Sequence, residues 1–306
     1  MNKKLSKADY LMTLLFLFII IGALGAFFYG VKVGKDKTTI KYELLIAEKQ
    51  EMAKELTAYH QQYLVSFYHT IYLPYREFQK KWFEHLEAIE LENKSVDPQS
   101  VFKELSKLAD EKFKTIETMS MPSTSPLLQE AHSNYLKSLK LFSNTADEFR
   151  SKTNSQQGTR IIAMVNNDVF FQEAKNFALL AQSNYYSSIL KWNESINISL
   201  VGIELADKDD VNLNEWAQMN LNIKNLFVSR NLSEADYYAA FYPQDLTIRI
   251  DEMVASGQAK KMGFTTVKPM IEMLVDTNAV RIGDYLKRRQ VFYKNETLPQ
   301  LPFFYE

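Results

Sequence analysis

Cysteine is absent from all 306 residues, so neither a disulfide nor a thiolate metal site can form. Histidine is scarce: His60, His69, His85 and His132 are the four. The residues three before them are Thr57, Ser66, Trp82 and Gln129, so the Glu-x-x-His pairs that build di-iron sites in helical bundles do not occur. His-Glu-x-x-His is missing as well. Nine glycines form no dinucleotide fingerprint, no P-loop and no Gly-x-Ser-x-Gly elbow. Carboxylate neighbours such as Asp251 and Glu252 are expected by chance on helices of this charge density. We therefore expect no metal, no cofactor and no enzymatic activity.

Net charge is nearly absent too. At −1, the chain has no global attraction to nucleic acid, and no nucleic-acid partner is expected. Asp207-Lys208-Asp209-Asp210 opens like a calcium loop, but the sixth position is Asn212 rather than Gly and the twelfth is Gln218 rather than Glu. It reads as a solvated acidic loop. The Asn-x-Ser/Thr triplets at Asn93, Asn193, Asn197, Asn231 and Asn295 matter only in a eukaryotic secretory pathway. Lys outnumbers Arg 28 to 8, which points instead to an AT-rich bacterial genome.

What is present begins with Leu11 to Val31, a run with no charged side chain. Thirteen of its 21 residues are Leu, Ile, Phe or Val. At about 1.5 Å per residue a helix of this length matches the roughly 30 Å hydrocarbon core of a bilayer. Tyr10 and Tyr29 stand where amphipathic rings favour the interface. A cleaved signal peptide would use Ala23-Leu24-Gly25 as its small-residue site, but the apolar run continues through Ala26, Phe27, Phe28 and Tyr29, which suits an anchor better. Lys3, Lys4 and Lys7 precede the run, and Lys32, Lys35 and Lys37 follow it, so positive charge barely biases orientation. The short N-tail is assigned to the cytoplasm and the body outside. Gly22, Ala26, Gly30 and Gly34 recur every fourth residue and form a small-residue ridge that admits close approach of a second helix, hence a homodimer.

The remainder is read as all-α. Glycine and proline are few, valine-rich alternating runs are missing, and apolar residues recur at helical spacing. A long helix is expected from Thr38 to Leu73, with Pro74 ending or kinking it. Helicity resumes at Tyr75 with Phe78, Trp82, Leu86 and Ile89 on one side. Asp97-Pro98 and Ser125-Pro126 are start signals, an N-cap acceptor followed by proline at the first helical position. Leu128, Ala131, Tyr135, Leu139, Phe142, Ala146 and Phe149 make a coiled-coil-like face. A fourth helix is expected from Thr159 to Ile196. Beyond a boundary near Asp207 the helices shorten: Leu213 to Val228, a piece capped by Ser233 with Tyr237, Tyr238 and Phe241, one from Pro243 to Gly257, a turn or two after Pro269, and a last one from Asn278 to Tyr293. The tail from Leu298 to Glu306, with two prolines and Phe303, Phe304 and Tyr305, is expected to be extended or to pack as a strap. Ile250–Val254 weakly echoes Ile271–Val275, too briefly for a repeat.

The expected organisation is a cytoplasmic tail over 1–9, a transmembrane anchor over 10–33, a four-helix-bundle-like body over 34–205 and a C-terminal helical subdomain over 206–306. Two surfaces are candidates for contact. Tyr68, Tyr72 and Tyr75 cover a face adjacent to that of Tyr59, Tyr63 and Phe67, wider than one core stripe needs. Lys287, Arg288 and Arg289 form the densest basic cluster, where cations also complement a helix C-terminus. The expected function is that of a single-pass, membrane-anchored bacterial cell-envelope protein acting through a protein partner or as a scaffold. The alternative is an extracytoplasmic ligand-sensing or ligand-binding bundle.

Overall fold

The computed structural model describes residues 58–92, 96–153, 156–197, 200 and 208–305 and, nearer the start, residues 12, 16–18, 22, 29, 30, 32 and 35. Two compact units divide the chain, Met1–Glu55 and Leu56–Glu306. In the first, every described residue is helical. Met12, Phe16, Leu17, Phe18 and Tyr29 are exposed there, and the spaces where Gly22 and Gly30 would carry a Cβ are open. Ala26 and Gly34, most of the 10–33 segment, and residues 38–57 of the expected long helix lie outside the described residues. Among the described residues no helix is long and apolar enough to cross a membrane.

The second unit is all-helical, with a lone bridge between Asn212 and Thr266 and no strand among the described residues. Helix α1 (Gln61–Phe67) widens into a π turn over Tyr68–Tyr72 and continues as α2 (Leu73–Glu90). Pro74 therefore does not end the helix. Its ring would collide with the carbonyl four residues back, and the wider turn, closed by the Leu73 N–H on the Tyr68 carbonyl, lies immediately before it.

Helix α3 (Pro98–Glu117) starts where expected: the Asp97 carboxylate accepts from the N–H groups of Gln99 and Ser100 at 3.3 and 3.0 Å. Helix α4 (Pro126–Lys152) buries all seven residues of its 3-4 stripe. The single helix expected from Thr159 is instead two, α5 (Gly158–Asn166) and α6 (Val169–Ile196). Asp168 makes the break by accepting from the Phe171 N–H at 2.9 Å, which starts a new helix inside an apolar stretch.

The long helices pack in sequence, α2 on α3, α3 on α4 and α4 on α6, with α5 laid across α2. Shorter helices build outward from α6: α7 (Leu213–Gln218), α8 (Leu221–Glu234), α9 (Pro243–Ala255), α10 (Gln258–Lys261), α11 (Lys268–Asp276) and α12 (Asp284–Phe292). Helix α8 lies on α6, α9 on α8 and α12 on α9. One buried core runs from Tyr59 to Phe304, so position 206 separates long helices from short ones and not one core from another. A helix starts just past the acidic loop, where Asn212 and Glu215 form a reciprocal capping box.

Candidate functional site

The tyrosines around Pro74 are interior. Tyr68, Tyr72 and Tyr75 are 6%, 0% and 2% exposed, which corrects their assignment to a contact surface. Their second face is covered from the far end of the chain. The C-terminal strap ends in a short 3-10 turn, Pro302–Phe304, and inserts Phe303 among the rings of Tyr68, Tyr72, Tyr185, Tyr186 and Tyr242, with centroids 5.5 to 6.3 Å away. Tyr186 donates to Gln244 Oε1 at 2.5 Å, and Gln244 Nε2 donates to the Phe303 carbonyl at 3.3 Å. Burial pushes the phenols of Tyr72, Tyr185 and Tyr186 far above their ordinary range, so these three hydroxyls are neutral.

Ser138 donates to the Ala174 carbonyl at 2.8 Å, so its single proton is used. Tyr75 must then donate to Ser138 at 3.0 Å, and Tyr238 to Tyr75 at 2.9 Å. This relay ties the α2–α4 core to the connection between α8 and α9. Residues 237–241 of that connection are not helical, contrary to the short helix expected after Ser233. Helix α8 runs through Ser233 to Glu234, and Asp236 turns the chain at φ 55°. Two side chains of α2 then clamp it. Arg76 donates to Gln79 and, at 2.5 Å, to the Ala240 carbonyl; Gln79 donates to the Ala239 carbonyl at 3.1 Å. The Arg76 guanidinium also lies 4.1 Å from the centre of the Tyr242 ring.

The clamped segment is one wall of an open groove of about 880 Å³. Trp82, Phe83 and Leu86 of α2, Ile162 of α5 and Phe171 of α6 also line it. The Tyr238 ring stacks on Phe83 at 5.3 Å. Polar side chains line the groove too: Lys175, paired with Asp236 at 2.8 Å, Arg281, and Glu87 and Glu90, which form no ion pair among the described residues. The groove's volume lies within the roughly 300–1,000 Å³ of small-molecule sites, and its lining is amphipathic, aromatic side chains beside charged and amide ones.

A second cavity, about 200 Å³, lies between the start of α9, the turn before α12 and the strap. Asp245 reaches it. This carboxylate is 1% exposed and accepts from the N–H groups of Tyr242 at 3.0 Å, Gly283 at 3.1 Å and Tyr285 at 3.0 Å. It thus caps two helices at once. Burial outweighs those bonds and pushes its carboxyl up to about 6, with Asp284 adding to the rise and Arg76 opposing it. A raised native-state value means the folded chain holds this proton more tightly than the unfolded one. The stabilising contribution is complete below 3.8 and is lost as pH climbs through about 6. We expect Asp245→Asn to flatten the stability curve across that window, as read by thermal unfolding at a series of pH values; an unchanged curve would count against the assignment.

Lys287 and Arg288 do lie at the surface, and Arg289 is half-buried, but each is engaged. Lys287 pairs with Asp284 at 3.1 Å, Arg288 with Glu252 at 2.7 Å, and Arg289 covers the Tyr305 ring at 4.3 Å. Of the residues that line the groove and the cavity, Tyr68 was a candidate from the sequence, as part of a contact surface, and the others were not. Arg76 and Gln79 offered a faint signal, two polar residues three apart beside the apolar stripe of Tyr75, Phe78 and Trp82. No family model, curated protein or solved structure matches the chain.

Proposed function

We propose that the chain is a single-pass, membrane-anchored helical protein of the bacterial envelope whose body binds an apolar or amphipathic small molecule. The observation that carries the ligand reading is the 880 Å³ groove with partly exposed aromatic walls. The burial of Tyr68, Tyr72 and Tyr75 removes the main support for a partner surface at that place. The anchor reading rests on the uncharged run over residues 11–31 and is supported by exposed apolar side chains at Phe16, Leu17 and Phe18, which lipid would cover at no cost. The small-residue ridge would make that anchor a pairing surface.

The second reading, docking of a protein partner, is favoured by α6. Phe170 and Leu180 are 43% and 40% exposed, and half-buried Phe177 lies between them, seven residues after Phe170 and so on the same face.

A photo-reactive phenylalanine at Ile162 or at Leu180, in the full chain in native membranes, separates the two. A small-molecule adduct at Ile162, in material that resists carbonate extraction, is the expected result. A protein-sized adduct at Leu180 with none at Ile162 would replace the ligand reading by the partner reading. Release of the chain by carbonate would remove the anchor.

A further inference from the structure

Asp245 is a buried carboxylate, 1% exposed, with no direct ion pair among the described residues. Arg76, which lies over the Tyr242 ring, acts on it only at longer range. Buried charges are ordinarily matched by an opposite charge, because desolvation is otherwise uncompensated. Backbone N–H groups supply three dipoles and no net charge. Oδ1 already accepts two of these bonds, and Oδ2 accepts one, which leaves Oδ2 the capacity for another.

The space next to this carboxylate is lined by rings. Tyr68, Tyr242, Tyr285 and Phe303 border the 200 Å³ cavity, and Tyr242 stacks on Phe303 at 5.7 Å. That volume far exceeds the roughly 30 Å³ share of a single water. Aromatic faces attract cations through their negative quadrupole, and a set of such faces around an ammonium is a known recognition mode. The lining is mixed, with Gln244 and phenol groups beside the rings, but Asp245 is its one carboxylate, and no group of three or more acidic or histidine side chains that could hold a hard inorganic cation occurs among the described residues.

We propose that the cavity between α9, α12 and the C-terminal strap is a binding site for a small organic ammonium, with the rings of Tyr68, Tyr242, Tyr285 and Phe303 around its alkyl groups and Asp245 as its counter-ion. Burial raises this carboxyl, and a bound cation would lower it again and favour the ionised form. Ile282 lines the cavity, is 56% exposed and also borders the larger groove, so the entrance lies beside it. The site is distinct from the groove, and a failed test of either leaves the other standing.

The test is thermal unfolding of the full chain in detergent, titrated with choline chloride. Three references run alongside: potassium chloride at equal concentration, the uncharged isostere 3,3-dimethylbutanol, and the variants Asp245→Asn and Ile282→Trp. We expect a saturable rise in melting temperature with choline. The isostere should act about tenfold more weakly, since cation–π attraction and the ion pair are both lost. Asp245→Asn should abolish the rise. Because Asp245 also caps two helices, Ile282→Trp gives an independent reading, blocking the entrance from an exposed position, and it too should abolish the rise. Absence of a saturable shift in the unaltered chain would overturn the proposal. So would an equal shift with potassium or with the isostere, or a shift that survives in Ile282→Trp.

Discussion

Replacing Lys224 by Met is expected to lower the unfolding free energy by about 3–5 kcal/mol, the usual cost of stripping one partner from a buried ion pair. On a unit of this size that corresponds to a fall of roughly 10 °C in melting temperature. Lys224 and Asp251 are 6% and 5% exposed and meet at 2.7 Å. Lys224 also donates to Tyr293 at 3.1 Å, and its ammonium lies 5.2 Å from the Trp216 ring and 5.4 Å from that of Tyr293. Asp251 receives the Trp216 indole N–H at 2.8 Å and the Tyr293 hydroxyl as well. Burial, with Asp251 adding to it, drives the Tyr293 phenol far above its ordinary range, so it stays a donor. Met fills the volume of the lysine stem but leaves the carboxylate without its cation.

The double variant Lys224→Met, Asp251→Leu removes the orphaned charge and should regain part of the loss. The regain is incomplete, because the Trp216 N–H and the Tyr293 hydroxyl are then unpaired at about 1–3 kcal/mol each. Adding Tyr293→Phe should recover more. A double variant no more stable than Lys224→Met would show that the buried charge was not the source of the loss.

Local rules carried the helix starts and the bundle face. Asp97-Pro98 and the 3-4 spacing from Leu128 to Phe149 are chemistry contained in a window of a few residues, and the structure realises both. The break at Asp168 obeys the same capping rule but was hidden, because the capping residue sits inside an apolar pattern that continues on both sides. The tyrosines show the other kind of limit. Two apolar faces on one helix require two partners, and the second partner here is Phe303, more than 200 residues further along. No periodicity announces that meeting.

The groove was less legible still. Its walls come from α2, α5, α6, the 236–241 connection and the turn before α12, and each piece reads locally as an ordinary amphipathic element. Asp245 read as part of a helix start opened by Pro243, which it is. That it also caps α12 and borders a ring-lined cavity depends on contacts 38 and 40 residues away. Asp251 and Glu252 read alike as chance carboxylates. One became the centre of a buried network, while the other holds Arg249 and Arg288 at the surface.

Gly158→Ala is expected to destabilise the chain by about 3 kcal/mol, toward the upper end for overpacking, although alanine is the better helix former. The sign is what makes the prediction sharp. Gly158 is the first residue of α5 and is absent from the positive-φ positions, so glycine's freedom in left-handed conformations is not in use there. On helix propensity alone, alanine would gain up to about 1 kcal/mol. The packing says the reverse. A Cβ at Gly158 would lie 2.0 Å from the carbonyl oxygen of Ile89 and 3.0 Å from its carbonyl carbon. Both are backbone atoms of α2 and cannot rotate aside, so α5 itself must lift. Gly257 is the matched reference: its φ is 73° and nothing lies within 4 Å of its Cβ position, so alanine there costs only the left-handed conformation, about 1 kcal/mol. Because α5 carries Ile162 into the groove wall, lifting it should also weaken the photo-adduct formed at Ile162. Thermal unfolding of the two glycine variants, side by side, decides the matter: a Gly158→Ala chain as stable as the unaltered one would mean that α5 and α2 are not in the contact described.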